Sequence, residues 1–112
     1  STPELVLSNN DAMALGAISV LRQNGYFQDA NGNGQVDRED GDWIPVLGID
    51  GVPDAVEQIR EGYLYGTVIN DSEGMARAIV ELAAKLADSD YQSPSDAAER
   101  YIWVDYKVYS VH

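Results

Sequence analysis

Three short apolar segments, each closed by asparagine or aspartate and each followed by a helical stretch, constrain this chain more than any other feature. Glu4-Leu5-Val6-Leu7-Ser8 has strand character and ends at Asn9-Asn10-Asp11. Ala12 to Asn24 then reads as a helix: it is rich in strong formers and stops at Gly25, the residue type favoured just past a helix end. Asn10 or Asp11 can cap its first turn. Apolar residues cover most of its circumference, which predicts a well-buried helix. Ile44-Pro45-Val46-Leu47-Gly48-Ile49 reads as a buried strand ending at Asp50, with Pro45 tolerated near its start. Val52 to Glu61 is a short helix with Pro53 early and Gly62 just after it, and Val52, Ala55, Val56 and Ile59 share one face. Tyr63 to Ile69 is the third strand, ending at Asn70. Asp71 or Ser72 opens a helix over Glu73 to Ala87, with Met75, Ile79, Leu82 and Leu86 at helical spacing.

Asp88 to Arg100 is polar, carries Ser-Pro-Ser and reads as a loop. Tyr101 to Val111 is aromatic and β-branched, which favours strand, with Asp105-Tyr106 able to fold it into a short hairpin. The order is β-α-β-α-β-α-β. Strands alternating with helices imply an α/β fold with a parallel sheet and right-handed crossovers.

Composition narrows the functions open to such a fold. The chain has 112 residues, a single domain's worth, and buries roughly two-thirds of its unfolded surface. Its 7 basic and 19 acidic residues give a net charge of −12, which repels phosphate and disfavours nucleic acid and anionic membranes. The apolar fraction of 45 % is that of a globular protein, and no run approaches the roughly 20 residues of a transmembrane helix. The sequence opens on no basic-then-apolar signal peptide. With no cysteine there is no thiolate catalysis, disulfide or cysteine-based zinc site. The one histidine, His112, leaves no Ser-His-Asp triad and no multi-histidine metal site.

Residues 25–43 break the alternation and are rich in Gly, Asn and Asp. Within them, residues 29–40 read DANGNGQVDRED. A calcium loop of the EF-hand type needs oxygen ligands at positions 1, 3, 5, 7, 9 and 12, with glycine at 6 for the sharp turn. Counted from Asp29, those positions hold Asp29, Asn31, Asn33, Gln35 (through its carbonyl), Asp37 and Asp40, with Gly34 at the turn and the apolar Val36 at position 8. Calcium is hard and takes six or seven oxygens, which alternate residues of a tight loop can supply. Position 12 is aspartate, as in the loops of dockerin modules, and it reaches less easily than glutamate for two-oxygen coordination. A solvated Gly/Asn-rich turn is the plainer alternative. Gly41-Asp42 and a proline-bearing strand follow, so the usual exiting helix is missing. The pattern therefore suits a local staple with affinity on the order of 10⁻⁵ to 10⁻³ M, useful where calcium is abundant outside the cytoplasm.

Ligands of open parallel sheets bind beyond the carboxyl ends of the strands. Those ends carry Asn9-Asn10-Asp11, Asp50 and Asn70-Asp71. Such a mixture of donors and acceptors suits a neutral polyhydroxyl ligand, whose hydroxyls both give and take hydrogen bonds. It does not suit phosphate, because Arg22 and Arg60 fall at helix ends away from it. The same residue types also cap helices, and that is the competing reading of each.

The segments NNDAMALGA, VLGIDGVPDAV and GTVINDSEGMARA, in this order, resemble the C-terminal part of bacterial glucose/galactose-binding proteins. These are the extracytoplasmic receptors of ABC sugar importers and of chemotaxis. The resemblance covers nearly the whole chain apart from the calcium-loop insertion and residues 88–100. It implies a fragment of the type I periplasmic-binding-protein fold, a hexose ligand, an ABC permease partner and no catalysis. Residue by residue, it implies that Asn10, Asp50 and Asn70 contact the sugar. Ribose binders usually carry Gln where Asn70 stands. Glu4 matches a family glutamate at a separate calcium site whose other ligands lie upstream. The resemblance places residues 1–70 in one sugar-binding lobe, with the calcium loop inserted at 25–43. It assigns residues 71–112 to a helix of the opposite lobe, a loop and part of a crossover strand. The chain would then start about two-thirds of the way through a two-lobed receptor.

A LacI-type repressor's effector domain and a ribose-type receptor share the fold and the first segment. A phospho-accepting receiver domain would need a second acid at the first strand end and a lysine at a later one, and Lys85 and Lys107 fall in a helix and in the aromatic segment. A dockerin would need a second calcium loop. Tyr63, Tyr65, Tyr101, Trp103, Tyr106 and Tyr109 are expected to pack in the core, and Tyr101 to Val111 is a candidate self-association surface.

Overall fold

The computed structural model describes residues 2–96 and 101–110. Val111 and His112, and residues 97–100 of the expected loop, lie outside the described residues. The elements follow the expected order: β1 (Val6–Leu7), α1 (Asp11–Gln23), β2 (Val46–Ile49), α2 (Pro53–Arg60), β3 (Gly66–Ile69), α3 (Ser72–Ala87) and β4 (Lys107–Tyr109). The strands are shorter than the apolar runs that announce them. Leu5, Ile44, Pro45 and Tyr63 to Tyr65 lead into strands without being part of them.

The sheet order is β1-β2-β3-β4. β1 and β2 pair in parallel with Val6 opposite Val46, and β2 and β3 pair in parallel with Gly48 opposite Thr67. β4 departs from the expected parallel sheet: it runs antiparallel to β3, with Val108 opposite Val68. β4 is an edge strand, and an antiparallel edge strand on an otherwise parallel sheet needs no crossover helix packed on that sheet. Of the long strand expected over Tyr101 to Val111, three of the described residues are strand, and these pair with β3 rather than folding into a hairpin at Asp105-Tyr106.

By contacts, the chain forms two compact units, one of residues up to Asn70 together with β4, the other Asp71–Tyr106. In the first, α1 and α2 bury Ala14, Ile18, Ala55 and Ile59 with Val46 and Leu64. α1 is less buried than its composition suggests. Ala14 and Ile18 face the core, while Met13 and Val20 are more than half exposed. In the second unit, Met75, Ile79 and Leu86 are exposed along α3, where Asp71 caps the first turn by accepting from the Gly74 N–H at 3.2 Å.

The insertion at 25–43 contributes to the core instead of merely decorating it. Phe27 is buried and stands edge-on to Trp43 and Tyr63, with centroids 6.5 and 6.1 Å apart. Such perpendicular pairs are favoured by the ring quadrupole. Trp43 donates its indole N–H to the Gly62 carbonyl at 2.8 Å, and Arg22 lies over the Tyr63 ring at 4.3 Å. Gly62 has φ +90°, and any Cβ there would collide with the Val36 carbonyl, so this glycine lets the loop seat against the end of α2. The expectation of a packed aromatic set holds for Tyr63, Tyr65 and Tyr109, which are partly buried. It fails for Tyr101, Trp103 and Tyr106, which are between 69 and 90 % exposed.

Candidate functional site at the strand ends

Because β1, β2 and β3 are adjacent and parallel, their carboxyl ends share one edge of the sheet, and the residues that follow them collect there. After β2 comes Asp50 and after β3 comes Asn70. The structure brings these two together: Asn70 Nδ2 donates to Asp50 Oδ1 at 3.0 Å. Asp50 is exposed and Asn70 partly so, which leaves both able to meet a ligand. A carboxylate has about four lone-pair sites and an amide carries both donors and acceptors, so each keeps capacity for ligand hydroxyls.

Asn10 follows β1 and is the N-cap of α1, its Oδ1 accepting from the Met13 N–H at 2.9 Å. The capping reading is thus realised at Asn10. It does not exhaust the side chain, whose NH₂ group is a separate pair of donors. Substitution separates the two roles. Asn10→Ser keeps a capping oxygen and is expected to leave stability within a few tenths of a kcal/mol, whereas Asn10→Ala costs about 1 kcal/mol. Thermal denaturation of both variants measures this, and equal losses would deny the cap.

Asp11 holds a place that neither the capping nor the ligand reading foresaw. It is fully buried, and its carboxyl group accepts from the Thr67 hydroxyl at 2.7 Å and from the Val52 N–H at 2.9 Å. Gly48 admits it, since a Cβ on Gly48 would run into Asp11 Oδ1. The signal for this in the sequence is a glycine inside β2 beside an acid at a helix start.

The insertion loop winds around its own side chains. Asp29 Oδ2 accepts from the Gly34 N–H at 2.7 Å, Asn31 Oδ1 from Asn33 at 2.9 Å and Asn33 Oδ1 from Gln35 at 2.8 Å. Asp37 Oδ1 accepts from the Glu39 N–H at 2.8 Å. Asp40 closes the loop, accepting from Asn31 and Asp37 at 3.1 and 3.0 Å. The Asp37 N–H foremost, then those of Asn31 and Ala30, hold the Asp40 carboxyl below its ordinary pKa, against an opposing desolvation. Among the described residues no three carboxylate or histidine side chains gather into a metal-binding cluster. The donor set of the loop is instead mixed, combining Asp29, Asp37 and Asp40 with amide and backbone oxygens. It is oxygen throughout, the chemistry a hard cation takes. Beside the loop, Asp42 Oδ1 is buried with no hydrogen-bond partner, while Oδ2 accepts from the Gln28 N–H at 3.0 Å.

Arg22 and Arg60 lie in the last turns of α1 and α2, the helix ends remote from the β1–α1 and β2–α2 turns. The strand-end group is therefore acidic and amide-rich, without a cation from either. Among the described residues no helix is long and apolar enough to cross a membrane.

In α/β folds of this kind small ligands bind beyond the carboxyl ends of the parallel strands, the edge at which these polar side chains collect. The family model described as "periplasmic binding protein domain" matches residues 2–90, and the chain belongs to that family. It is similar to the D-galactose/methyl-galactoside binding periplasmic protein of Haemophilus influenzae, 36 % identical over 84 residues, covering 75 % of this chain and 20 % of that protein. It is also similar to a protein of Rhizobium meliloti named for rhizopine binding, 29 % identical over 105 residues, covering 94 % of this chain and 28 % of that one. The chain thus spans between a fifth and a little over a quarter of the length of these relatives.

Proposed function

We propose that this chain is part of the sugar-binding lobe of an extracytoplasmic hexose receptor that delivers glucose or galactose to an ABC permease and performs no chemistry on it. The observation that carries the reading is the Asp50–Asn70 pair, joined at 3.0 Å on neighbouring strand ends. An acceptor-rich carboxylate beside an amide matches vicinal hydroxyls. The binding role named for the Haemophilus influenzae relative supports a hexose. The name of the Rhizobium meliloti relative makes discrimination between ligands the point to test. Asn10, Asp50 and Asn70 are the proposed sugar contacts. Membership of the family supports a location outside the cytoplasm and a binding role without catalysis.

We also propose that the loop at 29–40 binds calcium through Asp29, Asn31, Asn33, the Gln35 carbonyl, Asp37 and Asp40. The ion would serve as a staple for the insertion and not as a part of the sugar site.

Calorimetric titration of D-galactose, D-glucose and D-ribose into the full-length protein with calcium present tests the sugar reading. Binding of a hexose and not of ribose is the expected result. Ribose binding alone would turn the reading to a ribose-type receptor. Silence from all three would reject the sugar assignment and favour the effector domain of a repressor.

A further inference from the structure

The turn that carries Asp50 is held in a conformation it would not choose. Asp50 has φ +125°, a region that side chains other than glycine rarely adopt, and Gly51 follows at φ +73°. Such strain persists only where the surroundings over-determine it. Here three consecutive amides are tied down. The Asp50 N–H donates to the Val68 carbonyl at 2.8 Å, Gly51 N–H to Thr67 Oγ1 at 3.3 Å and Val52 N–H to Asp11 Oδ2 at 2.9 Å. The last two anchors are joined to each other, because the Thr67 hydroxyl donates to Asp11 Oδ1 at 2.7 Å. Both are buried, Asp11 at 0 % and Thr67 at 1 % exposure, so water does not compete for their hydrogen bonds and neither offers a surface to a ligand.

We infer that Asp11 and Thr67 are positioning residues that lock the strained 50–52 turn and thereby aim the Asp50 carboxylate at Asn70 and the ligand. The inference rests on the sugar reading above for its functional half. Its geometry is independent of it. Asp11 sits in the first turn of α1, where an acidic group is favoured by the helix dipole and where Asn10 already occupies the cap. One buried side chain therefore links the start of α1, the N-cap of α2 and β3. A bare hydroxyl at Thr67 suffices for the relay, since it donates to Asp11 and accepts from Gly51 at once.

The test uses the full-length protein. Asp11→Ala risks unfolding it, so Thr67→Val, which keeps shape and removes the hydroxyl, is the decisive variant, with Thr67→Ser as the rescue. Thr67→Val is expected to lower galactose affinity at least about tenfold and Thr67→Ser to restore it to within about threefold, the hydroxyl being the part that acts. In an Asp50→Gly background the Thr67→Val effect on affinity is expected to vanish, because there is no carboxylate left to aim. A merely structural role would persist in that background. Hydrogen exchange gives a reading that needs no sugar: protection of the Gly51 and Val52 amides is expected to fall about tenfold in Thr67→Val and not in Thr67→Ser. Unchanged protection of those amides, or an affinity effect that survives in the Asp50→Gly background, would overturn the inference. Wild-type protein that binds no hexose, with the exchange result as expected, would overturn the sugar reading and leave the locked turn established.

Discussion

Full-length protein carrying Asp50→Gly is expected to bind galactose more weakly by about 1–3 kcal/mol, roughly ten- to a hundredfold, while unfolding at a higher temperature than wild type. The two effects have separate causes. Loss of the carboxylate leaves Asn70 Nδ2 without its acceptor at 3.0 Å and removes the acceptor proposed for a ligand hydroxyl. Glycine, by contrast, adopts φ +125° without the clash a side chain meets, which is worth about 1 kcal/mol to the folded state. Asp50→Ala removes the same carboxylate but keeps the strain, so its affinity should match that of Asp50→Gly and its stability should not rise. Titration and thermal denaturation of the two variants side by side read both quantities. Undiminished affinity in both would remove Asp50 from the site. A fall in stability for Asp50→Gly would show that the turn is not strained.

The strand ends were legible because the rule that puts ligands there depends only on the alternation of elements, and the alternation is written in apolar runs and their stops. Asp50 and Asn70 could be placed side by side once β2 and β3 were taken as neighbours in parallel. The buried role of Asp11 was not legible. An acid after two asparagines reads as a cap, and only the close approach of α1 to Gly48 shows that it turns inward. Phe27 was hidden for a similar reason. With Tyr26 it opens an otherwise polar segment, and its ring partners Trp43 and Tyr63 lie 16 and 36 residues further along the chain. The aromatic segment from Tyr101 onward misled in the opposite direction. β-propensity describes side chains that find a half-buried pleated surface, and Tyr101, Trp103 and Tyr106 are exposed, so among the described residues of the segment only Lys107–Tyr109 pairs.

Removing calcium is expected to lower the melting temperature of the chain by on the order of 10 °C. A ligand bound only by the folded state adds about 2.7 kcal/mol when present at a hundred times its dissociation constant. For a domain of this size each kcal/mol moves the midpoint by about 4–8 °C. The loss should register locally as well as globally, because Val36 of the loop abuts Gly62 and Trp43 bonds to the same glycine's carbonyl. Trp43 fluorescence is therefore expected to change with calcium. Asp29→Ala, which removes the first oxygen and frees the Gly34 N–H, should abolish both responses. Equal melting with calcium and with chelator would reject the site. Acid provides an independent handle on the closing residue. The Asp40 carboxyl is held below its ordinary value of 3.8, chiefly by the Asp37 N–H. A carboxyl depressed on folding contributes stability that is fully present above its unfolded pKa and disappears as pH falls through the folded one. In chelator, stability is thus expected to decline as pH drops below about 4, and Asp40→Asn should flatten that decline. With calcium the decline should steepen, because protons and the cation compete for the same oxygens. A calcium increment that does not diminish as the pH is lowered would place the ion somewhere other than this loop.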